Sequence, residues 1–220
     1  IEGTLTNDGQ DVALELAADF QMWNMRISRF FAPQLQEYLV AANMDKLDGT
    51  ASAAGAFSKM RLGFEATANE QDVSLSGEIG FPQNQLTFVN LQGGLKHNDL
   101  AGVARLAHFG DFKSLPAQLT YSLSKTATGE PFEAKLGGDL AGGKIQAEIR
   151  YFADFDKVVF SYDHESVARL EEEVGQLIQG LEASDSVRAE LRFERDDAGW
   201  TIEIPNIKNG DRAVSGNLRV

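Results

Sequence analysis

Large apolar residues alternate with polar or small residues along most of the chain. In the first such run, Leu14, Leu16 and Phe20 fall on one side of an extended segment and Glu15 and Asp19 on the other. Because successive side chains of a β-strand point to opposite faces, this period of two predicts a strand with one apolar face. The alternation recurs within residues 60–66, 73–81, 119–123, 145–151, 158–162, 187–193 and 200–204.

Turn-forming residues separate these runs. Asn7-Asp8-Gly9, Gly93-Gly94 and Asn209-Gly210 are examples of sequences that favour tight turns. One-sided strands joined by short turns are typical of antiparallel sheets. The sequence therefore predicts a mainly β (α+β) protein, built on an elongated, curved antiparallel sheet of amphipathic strands.

Two segments have helical spacing instead. Leu35 and Leu39 fall on one side of a helix near residues 31–44, with Pro33 tolerated in its first turn. Val167, Leu170 and Val174 begin a second apolar stripe near residues 166–181, which continues through Leu177, Ile178 and Leu181. We expect about two helices, which cover part of the sheet.

The chain also contains an internal similarity. Residues 14–20 can be laid over residues 149–155, and the same register matches Leu35 and Leu39 to Leu170 and Val174. This predicts a duplication, with a first β-rich repeat over residues 1–110 and a second over residues 111–220, in one continuous body.

A shorter element recurs more often, with an apolar residue, a small residue two positions later, and apolar residues four and six positions after the first. It is found at residues 75–81, 145–151, 187–193 and 214–220, and residues 100–106 give a fifth, weaker instance. We interpret all five as strands. Small residues on an apolar face leave room for a neighbouring layer or a bound chain.

Composition and charge exclude several classes of function. The 220 residues carry 20 Lys and Arg against 33 Asp and Glu, a formal net charge of −13, which argues against nucleic acid as a partner. Cysteine is absent, so the chain has neither disulfides nor Cys-ligated zinc, and three scattered histidines argue against a histidine-rich metal site. The chain begins with Ile1 and without a charged-then-apolar leader, which favours an excised piece of a longer protein.

No motif in the sequence indicates catalysis or a cofactor. Residues 137–145, GGDLAGGKI, resemble a phosphate-binding loop, but Lys144 is followed by Ile145 and a strand pattern, where such a loop needs Ser or Thr and a helix. A glycine-rich hairpin turn is the better interpretation. Residues 7–11 lack the closing Glu of a calcium loop. The sequence thus predicts no enzyme, no cofactor and no metal. A hydrolase acting on glycan or lipid would need a clustered acid–base pair, and the sequence does not reveal one.

The main feature of the sequence that is still unexplained is its large number of predicted strands with one apolar face. If the apolar faces close on one another, they form the core of a β-sandwich, a scaffold or assembly module that binds protein partners. If the sheet stays open, they line a trough suited to acyl chains. The candidate lipid contacts are Leu14, Leu16, Leu62, Phe64, Leu75, Ile79, Ile149, Phe160, Leu191, Phe193 and Ile202.

Residues 85–106 and 213–220 resemble the recurring strand–turn–strand unit of the AsmA-like family, which includes a strand leading into "-L--L-G-L". Members of that family are long envelope proteins of Gram-negative bacteria, generally anchored in the inner membrane. Their β-rich periplasmic grooves take part in lipid transport and outer-membrane biogenesis. The resemblance implies a periplasmic, non-enzymatic segment that binds phospholipid or another acyl-chain lipid, with other envelope proteins as further partners and any inner-membrane anchor outside this chain.

Overall fold

The computed structural model of the protein describes residues 1–7, 12–24, 33–44, 46–82, 85–108, 110–152, 154–175, 185–196 and 199–219. Within these residues the chain forms thirteen strands and three helices. The strands are β1 Glu2–Asn7, β2 Val12–Asn24, β3 Lys46–Ala56, β4 Lys59–Ala68, β5 Gln71–Gly80, β6 Phe88–His97, β7 Ala117–Lys125, β8 Phe132–Leu140, β9 Gly143–Phe152, β10 Asp154–His164, β11 Val187–Asp196, β12 Gly199–Asn209 and β13 Arg212–Arg219. The helices are α1 Pro33–Ala41, α2 Ala101–Leu106 and α3 Val167–Val174.

All thirteen strands belong to one sheet, in which spatial order follows chain order from β1 to β13. Every neighbouring pair is antiparallel. The predicted mainly β, antiparallel architecture is therefore confirmed. Since the described strands form one open sheet and not two packed sheets, the closed sandwich is not the architecture of this part of the chain. The sheet also crosses residue 110 without interruption, because β6 pairs with β7.

The hairpin between β8 and β9 explains the glycine-rich sequence at residues 137–145. Ala141 and Gly142 connect the two strands with φ values of 47° and 73°. Two central residues with positive φ are what a type I′ hairpin turn requires. Lys144 pairs with Asp139 across this hairpin at 2.6 Å. The interpretation of this sequence as a turn is confirmed, whereas the turn expected at Gly93-Gly94 was wrong, because both residues lie within β6.

The described residues contain three helices, where the sequence predicted about two. Residues 100–106 were expected to form a strand, and this was wrong: residues 101–106 form α2. The Asp99 carboxylate promotes the helix, because its Oδ1 accepts from the amides of Ala101 at 2.9 Å and Leu115 at 2.8 Å. Phe31 and the apolar residues 177, 178 and 181 of the two predicted helices lie outside the described residues.

The three helices begin at residues 33, 101 and 167, which are 68 and 66 residues apart. Each follows an even-numbered strand, so that four strands separate one helix from the next: β3–β6 between α1 and α2, and β7–β10 between α2 and α3. The order of elements therefore has a period of four strands and one helix. This period is about half the separation between residues 14–20 and residues 149–155, which are similar in sequence.

Candidate functional site

The eleven candidate lipid contacts all lie on one face of the sheet, which we call the apolar face. Residues that pair directly across neighbouring strands point to the same side, so the strand register places each of them. One row of pairs runs from Leu16 on β2 to Ile202 on β12 and includes Leu62, Ile149 and Phe193.

Two further rows hold the remaining candidates. The second runs from Phe64 on β4 to Leu191 on β11 and passes through Leu75 and Phe160. The third joins Leu14 on β2, Met60 on β4 and Ile79 on β5. The same rows contain apolar residues that the candidate set omitted, namely Leu91, Leu123, Leu136 and Val158. The two-residue period of their own strands would have been enough to find them.

None of the eleven side chains is buried. Leu16 is 36% exposed, and the other ten are partly exposed. The chain of 24.0 kDa has an accessible surface of 14185 Å², against about 9,900 Å² for a compact protein of that mass. A single-layered sheet explains this excess, because most residues on both of its faces stay partly accessible to solvent.

One end of the apolar face is covered by the helices. Leu39 of α1 and Val103 of α2 pack on a cluster that contains Leu47, Ala66 and Ala68. Val167, Leu170 and Val174 of α3 form a second cluster with Ala141 of the β8–β9 turn and Val187 of β11. These two clusters contain most of the buried apolar residues of the described chain.

The covering helices form one row along the end of the strands. A Cβ at Gly102 of α2 would lie 2.5 Å from the carbonyl oxygen of Ala41, so α1 and α2 are in direct contact there. Farther along the row, the Lys113 amide, in the segment between α2 and β7, donates to the carbonyl oxygen of Val174 in α3 at 2.7 Å. Away from this row, most described residues of the apolar face are partly exposed, but Met60 of β4 and Val89 of β6 are buried near the opposite end, at 8% and 3% exposure.

Buried histidines mark the junctions between strand and helix. His97 ends β6 and His164 ends β10, and each is 2% exposed. Nδ1 of His97 accepts from the amide of Asp99 at 3.0 Å, and Nδ1 of His164 accepts from the amide of Ser166 at 3.1 Å. Each ring therefore fixes the backbone just before a helix. These histidines have a structural role and do not form a metal centre.

Two tyrosines lie across glycines on the apolar face. The Tyr121 hydroxyl donates to the carbonyl oxygen of Ser74 at 2.6 Å, above Gly93. The Tyr162 hydroxyl donates to the carbonyl oxygen of Leu140 at 3.0 Å, above Gly143. Glycine is needed at these points because a Cβ would come within 2.5 Å of the tyrosine.

The surroundings of Tyr162 change its ionisation. Burial, and to a lesser degree the nearby Glu173 carboxylate, raise the pKa of Tyr162 to about 12, against a smaller opposing effect of the Gly143 backbone hydrogen bond. Burial also raises the pKa of Tyr121. Both phenols are therefore neutral donors at physiological pH and serve to hold the sheet together.

The margin of the apolar face opposite the helices carries cations. The Lys125 ammonium lies 4.7 Å from the ring centroid of Phe132, and the Arg195 guanidinium lies 5.9 Å from the ring of Trp200. Lys125 is on the same side of β7 as Leu123, and Arg195 is on the same side of β11 as Phe193. The apolar face thus has a helical cover at one end and two cations, Lys125 and Arg195, at the other.

Two concavities lie on the polar face of the sheet. Cavities of about 830 Å³ and 750 Å³ share Ser74, Gly94 and Thr120, and together extend from β3 to β10 on the face opposite the lipid candidates. Hydroxyl and amide side chains line much of the larger one. The sequence analysis did not predict this groove, although hydroxyl residues at alternate positions of β5 and β7 are its signal.

The described residues contain no group of three or more His, Asp or Glu side chains that could hold a metal ion. Among the helices that the structure describes, none is long and apolar enough to cross a membrane.

Comparison of the chain with protein-family models, with curated proteins and with solved structures gives no significant match. The similarity to AsmA-like proteins therefore stays a prediction from short motifs.

Proposed function

We propose that this chain is a non-enzymatic lipid-binding segment, in which the apolar face of the sheet holds acyl chains. The observation that carries the proposal is the extent of this face. It spans the whole sheet, all eleven candidate contacts lie on it, none of them is buried, and the helices cover only one end. An apolar surface this large, exposed to water, favours an apolar ligand.

The shape of the face suits an acyl chain. Along the second row, Leu75 and Tyr121 flank Gly93, and Leu136 and Phe160 flank Ala147. Gly93 is covered by the Tyr121 hydroxyl, but Ala147 is a low position between two large side chains, and a flexible chain can lie there. Each CH₂ group removed from water contributes about 0.8 kcal/mol, so a chain of ordinary length gains enough for stable binding.

The charges at the margin suggest how a phospholipid would be oriented. Lys125 and Arg195 lie where the open end of the apolar face meets solvent. We propose that headgroup phosphates contact this rim, while the acyl chains extend toward the helices. Ion pairing of phosphate with Lys or Arg is favourable at such a boundary, and the helical cover closes the opposite end.

We also propose that the sheet is elongated and curved, and that it arose by duplication of a unit of four strands and one helix. The recurrence of a helix after β2, β6 and β10 supports this unit. Residues 14–20 and residues 149–155, which are similar in sequence, then lie two such units apart.

The proposed setting follows from the AsmA-like resemblance: the periplasm of a Gram-negative bacterium, as part of an inner-membrane-anchored protein that moves lipid between membranes. Other envelope proteins are proposed as further partners.

The proposal is tested by native mass spectrometry of the protein purified from bacterial cells. We expect copurified phospholipid, and we expect Leu75→Glu or Leu191→Glu to remove it, since a carboxylate in the middle of the apolar face repels acyl chains. Ser76→Glu is the matched control, because it adds the same charge one residue farther along β5, on the polar face. Absence of lipid from the unmodified protein, or equal loss in the control, would contradict the proposal.

A further inference from the structure

The larger cavity of the polar face contains two glycines that packing does not explain. Gly94 of β6 and Gly137 of β8 lie in the row of pairs that runs from Ser74 to Ser161, on the floor of the cavity of about 830 Å³. Neither glycine has a positive φ. A Cβ would lie 3.5 Å from the nearest non-neighbouring atoms at Gly94 and 3.9 Å at Gly137, which are ordinary contact distances.

The next glycine along β8 shows the contrast. Gly138 has a φ of 141°, and a Cβ there would lie 2.1 Å from a backbone oxygen of β7. The sheet therefore requires glycine at Gly138 but not at Gly94 or Gly137. An interior glycine weakens a strand, and it often marks a point where a ligand approaches the backbone closely. A ligand above the two unexplained glycines would account for them.

Hydrogen-bonding groups without partners surround these glycines. Each of the five side chains concerned lines the same cavity and forms no hydrogen bond to another described residue: Ser76, Gln92, Ser122, Gln146 and Ser161. A serine hydroxyl both donates and accepts, and a glutamine amide does the same. The open floor of the cavity is thus bordered by groups that suit a ligand rich in hydroxyl or amide groups.

The charges around the cavity favour an uncharged ligand. Lys135 and Glu148 are the charged residues of its lining, and they pair with each other at 3.4 Å. Beyond the two ends of the row, Glu65 of β4 faces Ser74 and Glu190 of β11 faces Ser161. These carboxylates, together with the formal net charge of −13, repel an anion.

We propose that this cavity binds an uncharged glycan, which lies across the strands with sugar rings above Gly94 and Gly137. Sugar hydroxyls donate and accept, as the serine and glutamine side chains do, and the bulk of a sugar ring needs the low floor that glycine provides. Val159 of β10 adds an apolar contact for the C–H groups of a ring. From β5 to β10 the cavity crosses five strand spacings of about 4.8 Å, or about 24 Å in all, which is long enough for several sugars.

The probes are three uncharged hexasaccharides, namely chitohexaose, cellohexaose and maltohexaose, and the anionic hexagalacturonate, titrated separately into the protein by isothermal calorimetry. We expect saturable binding of at least one uncharged hexasaccharide, with an affinity at least about tenfold higher than that of hexagalacturonate. Binding of none of the uncharged probes would overturn the proposal. Equal or tighter binding of hexagalacturonate would overturn it as well.

The variant Gly137→Val tests the role of the floor. A valine side chain fills the cavity there, so we expect the affinity for the bound hexasaccharide to fall at least about tenfold. The midpoint of urea unfolding is expected to stay or rise, since a Cβ has room and valine favours strands. A loss of stability, or unchanged binding, would contradict the proposal.

A pair of amide variants on β6 tests the hydrogen-bonding border. Gln92→Ala is expected to weaken binding of the hexasaccharide, because it removes a donor and an acceptor from the cavity. Asn90→Ala is the matched control, since Asn90 lies two residues earlier on the same face of β6 and outside the cavity. Equal binding by both variants would count against the proposed contacts.

The glycan site and the lipid site are separated by two variants of neighbouring residues. Ser76→Glu places a carboxylate in the cavity and is expected to abolish hexasaccharide binding while copurified lipid remains. Leu75→Glu, on the apolar face, is expected to bind the hexasaccharide normally. Loss of hexasaccharide binding in Leu75→Glu but not in Ser76→Glu would place the glycan on the wrong face and overturn the proposal.

Discussion

The covered and the open parts of the apolar face differ in what their side chains contact. At the covered end, Leu47 is 3% exposed and packs in a cluster with residues of α1 and the sheet. In the open part, Leu123 occupies a similar apolar position on β7 but remains partly exposed, like its neighbours along the rows. The same alternation of residues thus serves folding at one end of the strands and leaves a surface free for binding over the rest.

The largest difference between the two parts is expected from removal of a leucine side chain. Leu47→Ala leaves a cavity under α1 and is expected to lower the free energy of unfolding by about 2–5 kcal/mol. Leu123→Ala, in the open part, is expected to cost less, about 1–2 kcal/mol, because that side chain is partly exposed and belongs to neither covered cluster. Urea unfolding of both variants measures the contrast. Equal losses would mean that the open part is covered in solution.

A smaller difference is expected within the covered end, between its two histidine junctions. Nε2 of His97 bonds to the carbonyl oxygen of Ala42 at 2.6 Å, whereas the buried Nε2 of His164 has no partner among the described residues. His97→Phe is therefore expected to cost about 1–3 kcal/mol, since it leaves the Ala42 carbonyl without its donor. His164→Phe is expected to cost less, because it also removes an unsatisfied polar atom. Thermal unfolding of the two variants ranks them, and the reverse order would contradict this account of the junctions.

The smallest effect concerns Tyr162, which lies at the border of the covered end, and it is confined to alkaline pH. Its pKa is raised from 10.0 to about 12 in the folded state, so folding favours the protonated phenol. The stabilisation is fully present below the unfolded pKa and is lost as pH rises from about 10 to about 12.

Tyr162→Phe is accordingly expected to flatten the decline of unfolding free energy over that interval. Denaturant unfolding at several alkaline pH values measures the slope, and the same variant at neutral pH provides the baseline. An unchanged slope would show that Tyr162 ionises freely in the folded protein. Part of the decline is expected to remain, since burial also raises the pKa of Tyr121.

Much of the fold follows from local patterns. The apolar–polar alternation around Leu62, Leu75 and Leu191 predicted that these side chains lie on the apolar face of their strands, because alternation depends only on neighbouring residues. The turn at Ala141 and Gly142 could also be predicted from the sequence, because a turn that requires positive φ values favours glycine.

Helix α2 shows where local patterns fail. Residues 100–106 fit the apolar spacing of a strand, and a segment of this length contains too few positions to separate a period of two from one of 3.6. The helix depends on distant contacts. Asp99 accepts from the amide of Leu115, and Gly102 contacts Ala41, 61 residues earlier in the chain. Neither contact is visible in the sequence of the segment.

The sequence by itself determined that the protein consists of one-sided strands with an apolar side and a polar side, because side-chain direction alternates along every extended chain. Only the tertiary structure decided that the strands pair in chain order into one open sheet, and that three helices cover one end of it. The physical reason is that alternation defines the face of each strand but not what covers that face. Whether apolar side chains meet a second sheet, a helix or a ligand depends on contacts between residues far apart in the chain.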